Sequence, residues 1–206
     1  MSTLRIRALA FDIGQVIVPV CHQRTKLALA RITGLALDDL TRMLSNPEHS
    51  KAFQEGRLAP KAWYESIKIK LGVPLTFVQF CEAWNFALGQ DTLLPNSLFA
   101  ELLSRYYLIL LSNTDPIHSR YLEMHYEFPK YFHSRLYSHN EGLSKPDPAI
   151  YQRVLDCAGV IPEELFYTDD VPEFVEAGRR FGMHTHLFRG ADGLLAELRA
   201  LNISFG

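Results

Sequence analysis

Five short runs, Arg5–Ile13, Tyr107–Ser112, Ser134–Ser138, Leu165–Thr168 and His184–Phe188, read as strands, the first, second and fourth of them largely apolar, and are separated from one another by segments with helical periodicity. Strands joined through helices cannot pair as hairpins. They pair side by side in one direction, and the connecting helices cover both faces of the sheet. The pattern predicts an α/β fold, a doubly wound, Rossmann-like parallel sheet of about five strands.

One interruption is too long to be a crossover helix. From His22 to about Gln90 the chain is helical throughout. Asp38 is placed to cap a helix carrying Leu40, Met43 and Leu44. Trp63, Ile67 and Leu71 recur every four residues before Gly72, and Thr76 opens a helix in which Phe80, Trp84 and Leu88 recur before Gly89. Such stripes of Trp and Phe are read as packing rather than cofactor stacking. This block cannot lie within the sheet. It is expected to form an inserted helical cap, residues 19–91, above a core made of residues 1–18 and 92–206. In the core, helices are expected over Ser97–Tyr106, from Asp115, from Asp147-Pro148 to Gly159, over Glu173–Phe181 and over Leu194–Leu201.

Composition excludes little but points one way. A length of 206 residues allows one core with a small appended domain. A net charge of -2 with no basic run gives no support for nucleic-acid binding. No apolar run is long enough to span a bilayer, and Met1–Arg7 lacks the apolar core of a signal peptide. Cys21, Cys81 and Cys157 have no metal-ligand spacing and read as reduced, packed thiols. A cytoplasmic protein, monomer or weak homodimer, is expected, with no membrane or nucleic-acid partner.

The chemistry is expected at the carboxyl ends of the strands, where open α/β sheets bind ligands. The first run carries Asp12 near its end, before Ile13 and Gly14. The second ends in Ser112-Asn113-Thr114. The loop after the third carries Lys145, and the fourth ends in Asp169-Asp170. Carboxylates brought together from different strands need a counter-ion, and a hard cation such as Mg²⁺ suits an all-oxygen set. A serine hydroxyl, backbone N–H groups and a lysine suit phosphoryl oxygens.

The order and context of Phe11-Asp12-Ile13-Gly14-Gln15-Val16, Leu111-Ser112-Asn113-Thr114, Lys145-Pro146-Asp147-Pro148-Ala149-Ile150-Tyr151 and Asp169-Asp170 resemble the haloacid dehalogenase superfamily. The resemblance covers nearly the whole chain, and the segment Ala52–Leu58 resembles the cap of bacterial sugar-phosphate phosphatases with an Asp-x-Gly first motif, including ones acting on α-glucose-1-phosphate. It implies a Mg²⁺-dependent phosphatase acting on a small phosphate ester through an aspartyl-phosphate. Asp12 would be nucleophile and metal ligand, and the Gly14 carbonyl, Asp169 and Asp170 further ligands. Ser112 and the Asn113 amide would bind phosphate, and Lys145 would stabilise its charge. Glu173 would orient a metal-bound water.

One position departs from the pattern. Most phosphatases of the superfamily carry a second acid two residues after the nucleophile, and here that residue is Gly14. A missing general acid/base costs about 10²–10⁴ in rate. A cap residue could replace it, with His22 the best placed and Arg24 and Arg57 as substrate-binding groups. Alternatively, the substrate has a good leaving group. Phe174, where relatives often have a polar residue, also departs. Two other readings stay open: a non-catalytic phosphate- or partner-binding member, supported by Gly14, and a 2-haloacid dehalogenase, opposed by the Asp169-Asp170 pair.

Overall fold

The computed structural model describes residues 5–205, so the leader reading of Met1–Arg7 falls partly outside them. The first strand, β1 (Ala8–Phe11), is buried on both faces, and its residues alternate between two cores. Leu9 and Phe11 face one, with Leu108, Leu110 and Phe166, while Ala8 and Ala10 face the other, with Ile109, Leu111 and Tyr167. This period of two, apolar on both sides, is what a central parallel strand requires.

Five helices follow: α1 (His22–Thr33), α2 (Leu37–Leu44), α3 (Pro47–Gln54), α4 (Pro60–Leu71) and α5 (Phe77–Asn85). The chain then alternates through α6 (Asn96–Leu103), β2 (Tyr107–Ser112), α7 (Pro116–His125), β3 (Ser134–Tyr137), α8 (Ser138–Glu141), α9 (Pro148–Ala158), β4 (Leu165–Asp169), α10 (Pro172–Arg180), β5 (His184–Leu187) and α11 (Ala191–Ala200). The sheet is five-stranded and parallel in the order β3-β2-β1-β4-β5. Chain order reverses direction at β1, so the ends of β1 and β4 flank the switch point where such sheets bind ligands.

The inserted helices have their own apolar centre, built from Leu29, Leu40, Phe53, Trp63, Ile67, Leu71 and Phe80. Phe53 stacks on Trp63 with centroids 5.1 Å apart, and Trp63 meets Trp84 edge-on at 5.6 Å. Ile117, from the first turn of α7, belongs to the same centre, so the core lends the cap a side chain. The two connections between the layers run together. Val20 and Leu88 form an antiparallel bridge, and Gly89 donates its N–H to the Pro19 carbonyl at 2.8 Å. A side chain at Gly89 would meet Pro19 Cγ at 2.8 Å, so only glycine allows this approach.

The punctuation is as expected at Thr76, which forms a capping box with Gln79, at Asp147, which accepts from Ala149 N, and at Gly72 and Gly159, both left-handed helix ends. Three expectations are corrected. Asp38 is not a cap: α2 begins after Ala36, and Asp38 lies in its first turn. Gly89 does not stop α5, which ends at Asn85. Cys21 is exposed rather than packed, because it sits on the connection into α1; all three cysteines are free thiols. Among the described residues, no helix is long and apolar enough to cross a membrane.

Candidate active site

Strand ends place the acidic residues. Asp12 follows β1 directly and Asp169 closes β4, and the two are 7% and 0% exposed. Ligand oxygens of Asp12, Asp169 and Asp170 all lie within 4.8 Å of one another. The loop after β3 brings a single cation to them. Lys145 donates from Nζ to Asp12 Oδ1 at 2.8 Å, to Asp169 Oδ2 at 2.5 Å and to the Leu111 carbonyl at 3.0 Å, which uses its three protons. Asp169 is also fixed by the Tyr167 hydroxyl on Oδ2 and by Val171 N–H on Oδ1 at 2.9 Å.

The lysine loop is held by a reciprocal pair. Asn113 Nδ2 donates to the Lys145 carbonyl, and Lys145 N–H donates back to Asn113 Oδ1, both at 2.9 Å. The side-chain amide of Asn113 is therefore committed to orienting Lys145, and any phosphate contact by this residue falls to its backbone N–H. Phe174 covers the ammonium from above, its ring centroid 5.2 Å from Nζ.

The charges are unbalanced. Burial pushes Asp12 up to about 6; Lys145 offsets part of this, and Asp169 adds to the rise. Asp170 is raised too, by burial and then by Asp169. Burial opposes the charged form of Lys145, but Asp12 and Asp169 together outweigh it and hold the ammonium protonated. Three carboxylates facing one ammonium leave negative charge in a poorly hydrated place. The donor set, all oxygen and crowded, fits a hard divalent cation.

These groups open on a cleft of about 270 Å³, whose walls include Asp12, Gly14, Ser112, Asn113, Lys145 and Asp170. The chain reaches the far wall by a tight turn in which Gln15 takes φ 56° and its amide pairs with both backbone atoms of Val20. A second cavity of about 310 Å³ lies in the cap, lined by Thr25, Lys26, Thr41, Ser45, Ser50, Phe53 and Trp63. The two cavities share His22, Gln54, Trp84, Asp115 and His118, which form a neck between them.

Three of the neck residues are locked to one another. Asp115 caps α7, accepting on Oδ1 from Ile117 N–H at 2.9 Å and His118 N–H at 3.0 Å. On Oδ2 it takes the Trp84 indole N–H at 3.0 Å and faces His118 Nδ1 at 2.8 Å. His118 Nε2 points at the Trp84 carbonyl at 3.0 Å. Both imidazole nitrogens thus face acceptors, which demands the doubly protonated, charged ring. Burial opposes that charge, but Asp115 outweighs it and raises the pKa of His118. Burial likewise opposes the Asp115 carboxylate, yet His118 carries it below the ordinary value.

The structure thus gathers Asp12, Gly14, Ser112, Asn113, Lys145 and Asp170 on one cleft, with Asp169 buried beside it. His22 lies in the neck. Glu173 does not join them: it is exposed and borders a separate groove with Pro146, Pro148 and Tyr151, because α10 turns it away from the strand ends. Arg57 pairs with Glu55 at 2.5 Å and Arg24 reaches toward the Leu88 carbonyl at 3.5 Å; neither lines the cleft. Sequence reasoning missed Gln54 and the Asp115–His118–Trp84 lock. Asp115 reads from sequence as a helix cap, which it is, and Trp84 as packing. The three-residue spacing of Asp115 and His118 on one helix face is the signal that could have paired them.

The cap is tied to the lysine loop at a second point. Ser138 Oγ donates to the Gln54 carbonyl at 2.6 Å, and Ser144 Oγ donates to Glu55 Oε1 at 2.8 Å. Between them Gly56, at φ 69°, lies so close to the His139 carbonyl that a Cβ would stand 2.0 Å from its oxygen.

No family model matches the chain. It is 26% identical over 194 residues to a D-ribitol-5-phosphate phosphatase of Bacteroides thetaiotaomicron, covering 87% of this chain and 90% of the relative. Among solved structures, a haloacid dehalogenase family enzyme of the same organism, in a magnesium complex, matches with a TM-score of 0.81 at 22% identity, covering 94% of this chain and 98% of that one. A haloacid dehalogenase-like hydrolase of Porphyromonas gingivalis matches with a TM-score of 0.78 at 24% identity, over 97% of this chain and 98% of that one.

Proposed function

We propose that this chain is a hydrolase of the haloacid dehalogenase superfamily, a Mg²⁺-dependent phosphatase of a small phosphorylated metabolite, a sugar or alditol phosphate; the fold it shares with a haloacid dehalogenase family enzyme and its 26% identity to a phosphatase support the reading. The observation that carries the reading is the cluster of Asp12, Asp169 and Asp170 around Lys145, opening on a cleft. A D-ribitol-5-phosphate phosphatase as a relative over 90% of its own length supports the substrate class.

Asp12 is the nucleophile. Lys145 holds Oδ1, which leaves Oδ2 to form a bond to phosphorus. Ser112, the Asn113 backbone N–H and the Lys145 charge receive the phosphoryl oxygens. Asp12, Asp169, Asp170 and the Gly14 carbonyl would hold Mg²⁺, which when bound would neutralise charge on the phosphoryl group. The cap cavity takes the rest of the ester, and its hydroxyl-bearing wall of Thr25, Thr41, Ser45 and Ser50 suits a polyol.

Phosphate release from a panel of aldose and alditol phosphates, with and without Mg²⁺, tests this. Metal-dependent release is expected from a few of them, and Asp12→Asn is expected to lower kcat by at least about 10⁴-fold without unfolding the protein. An Asp12→Asn protein with wild-type activity would sink the mechanism.

A further inference from the structure

Breaking an unactivated phosphate ester needs a proton for the departing oxygen, and hydrolysing the resulting acyl phosphate needs a group to take one from water. Inside the cleft the groups able to do this are nearly all spoken for. Asp12 is the nucleophile, Asp170 belongs to the metal cluster, and all three Lys145 protons are bonded to Asp12, Asp169 and the Leu111 carbonyl. In the neck, Asp115 and His118 satisfy each other and Trp84. Among the described residues, only the side chains of His22 and Gln54 border both cavities without an intramolecular hydrogen bond. An amide carries no exchangeable charge.

Resting on the phosphatase reading, we infer that His22 is the acid and base of the reaction, acting on the ester oxygen where it passes through the neck. In the first step Asp12 Oδ2 bonds to phosphorus, the ester P–O bond breaks, and the departing oxygen takes the proton of the His22 imidazolium. In the second, a water oxygen bonds to phosphorus and the P–O bond to Asp12 breaks, returning its electron pair to the carboxylate. The water proton goes to the neutral imidazole and restores the starting form. Burial lowers the pKa of His22, and the His118 charge adds to this; Asp115 acts in the opposite sense and Lys26 in the same. A ring so placed gives up its proton readily. His22 opens α1, with one part of its surface in the neck and the rest exposed to solvent, and contributes nothing to the cap's apolar centre, so its replacement is expected to leave the fold intact.

The test compares two esters in His22→Asn. The ratio kcat/KM covers events up to ester cleavage. For an alditol phosphate, whose alkoxide leaves poorly, it is expected to fall by at least about 10²-fold. For p-nitrophenyl phosphate, whose phenolate leaves without a proton, it is expected to stay within a few-fold of wild type. With the second ester kcat falls instead, and acid quenching traps phosphate on Asp12. Equal losses of kcat/KM for both esters would make His22 a binding or structural residue, and no loss for either would remove it from the site; both overturn the inference. Wild-type protein inactive toward both esters would instead overturn the phosphatase reading itself.

Discussion

Asp115→Asn separates the charge of the neck from its shape. Asparagine caps a helix as well as aspartate does, so the bonds from Ile117 and His118 N–H to the side-chain oxygen survive. What changes is the other atom. An amide NH₂ would face the Trp84 indole N–H and His118 Nδ1–H, which stand 3.0 Å and 2.8 Å from Oδ2. Removing one partner of a buried ion pair costs about 3–5 kcal/mol, because the other charge stays buried and uncompensated. His118 escapes part of this by losing its proton, so about 3 kcal/mol is expected near pH 6. The pH dependence fixes the sign. His118 is raised above its ordinary 6.5, so its contribution is complete below that value and is lost as pH climbs through the folded pKa. Asp115 is held below its ordinary 3.8, so its contribution is present above that value and is lost as pH falls through the folded pKa. The gap between wild type and variant is therefore widest between these limits and narrows in alkali. Urea unfolding at several pH values measures it, followed by tryptophan fluorescence, since the 2 tryptophans both lie in the cap. A difference near pH 6 of less than about 1 kcal/mol, or one that widens with rising pH, would refute the charged pair.

Asp169→Ala is expected to raise the Mg²⁺ concentration needed for half-maximal activity by at least about 10-fold; an unchanged metal titration removes Asp169 from the site. Gly14 has room for a side chain, because a Cβ there would lie 3.5 Å from Val20 Cγ2 and 3.8 Å from Asp12 Oδ2. Gly14→Asp is therefore expected to recover about 10-fold or more of the alditol phosphate turnover lost in His22→Asn, and no recovery would mean that its carboxyl does not reach the ester oxygen. Gly56→Ala drives a methyl into the His139 carbonyl at a backbone angle that disfavours side chains, and is expected to cost more than about 2 kcal/mol in thermal unfolding. A variant as stable as wild type would show that the cap–core contact at this point is loose.

Much of the fold and part of the site can be read from the chain because they depend on local pattern. Continuous apolar runs mark β1, β2 and β4, and the polar residues that end them, Asp12, Ser112 and Asp169, lie at the sheet edge by strand geometry alone. Thr76, Asp147, Gly72 and Gly159 act within four residues of themselves and were equally legible. The neck was not, because its chemistry depends on tertiary distance. Trp84 and Asp115 stand 31 residues apart in the chain, and nothing in the four-residue stripe of Phe80, Trp84 and Leu88 says that one indole N–H will find a carboxylate. Glu173 failed in the opposite way. It stands one helical turn from the acidic pair, but helix rotation decides which groove it borders, and this needs the packing of α10 on β4 and β5.

Ile117 belongs to the first turn of a core helix, yet it packs into the apolar centre of the inserted layer beside Trp63 and Phe80. The boundary of cooperative folding therefore does not coincide with the boundary of the insertion. A graft that transplants only the segment between the paired connections onto a related scaffold would leave a hole where this side chain belongs and would strand Trp84 without its acceptor. Exchange of specificity between relatives requires the opening turn of α7 to travel with the insertion, as a discontinuous module.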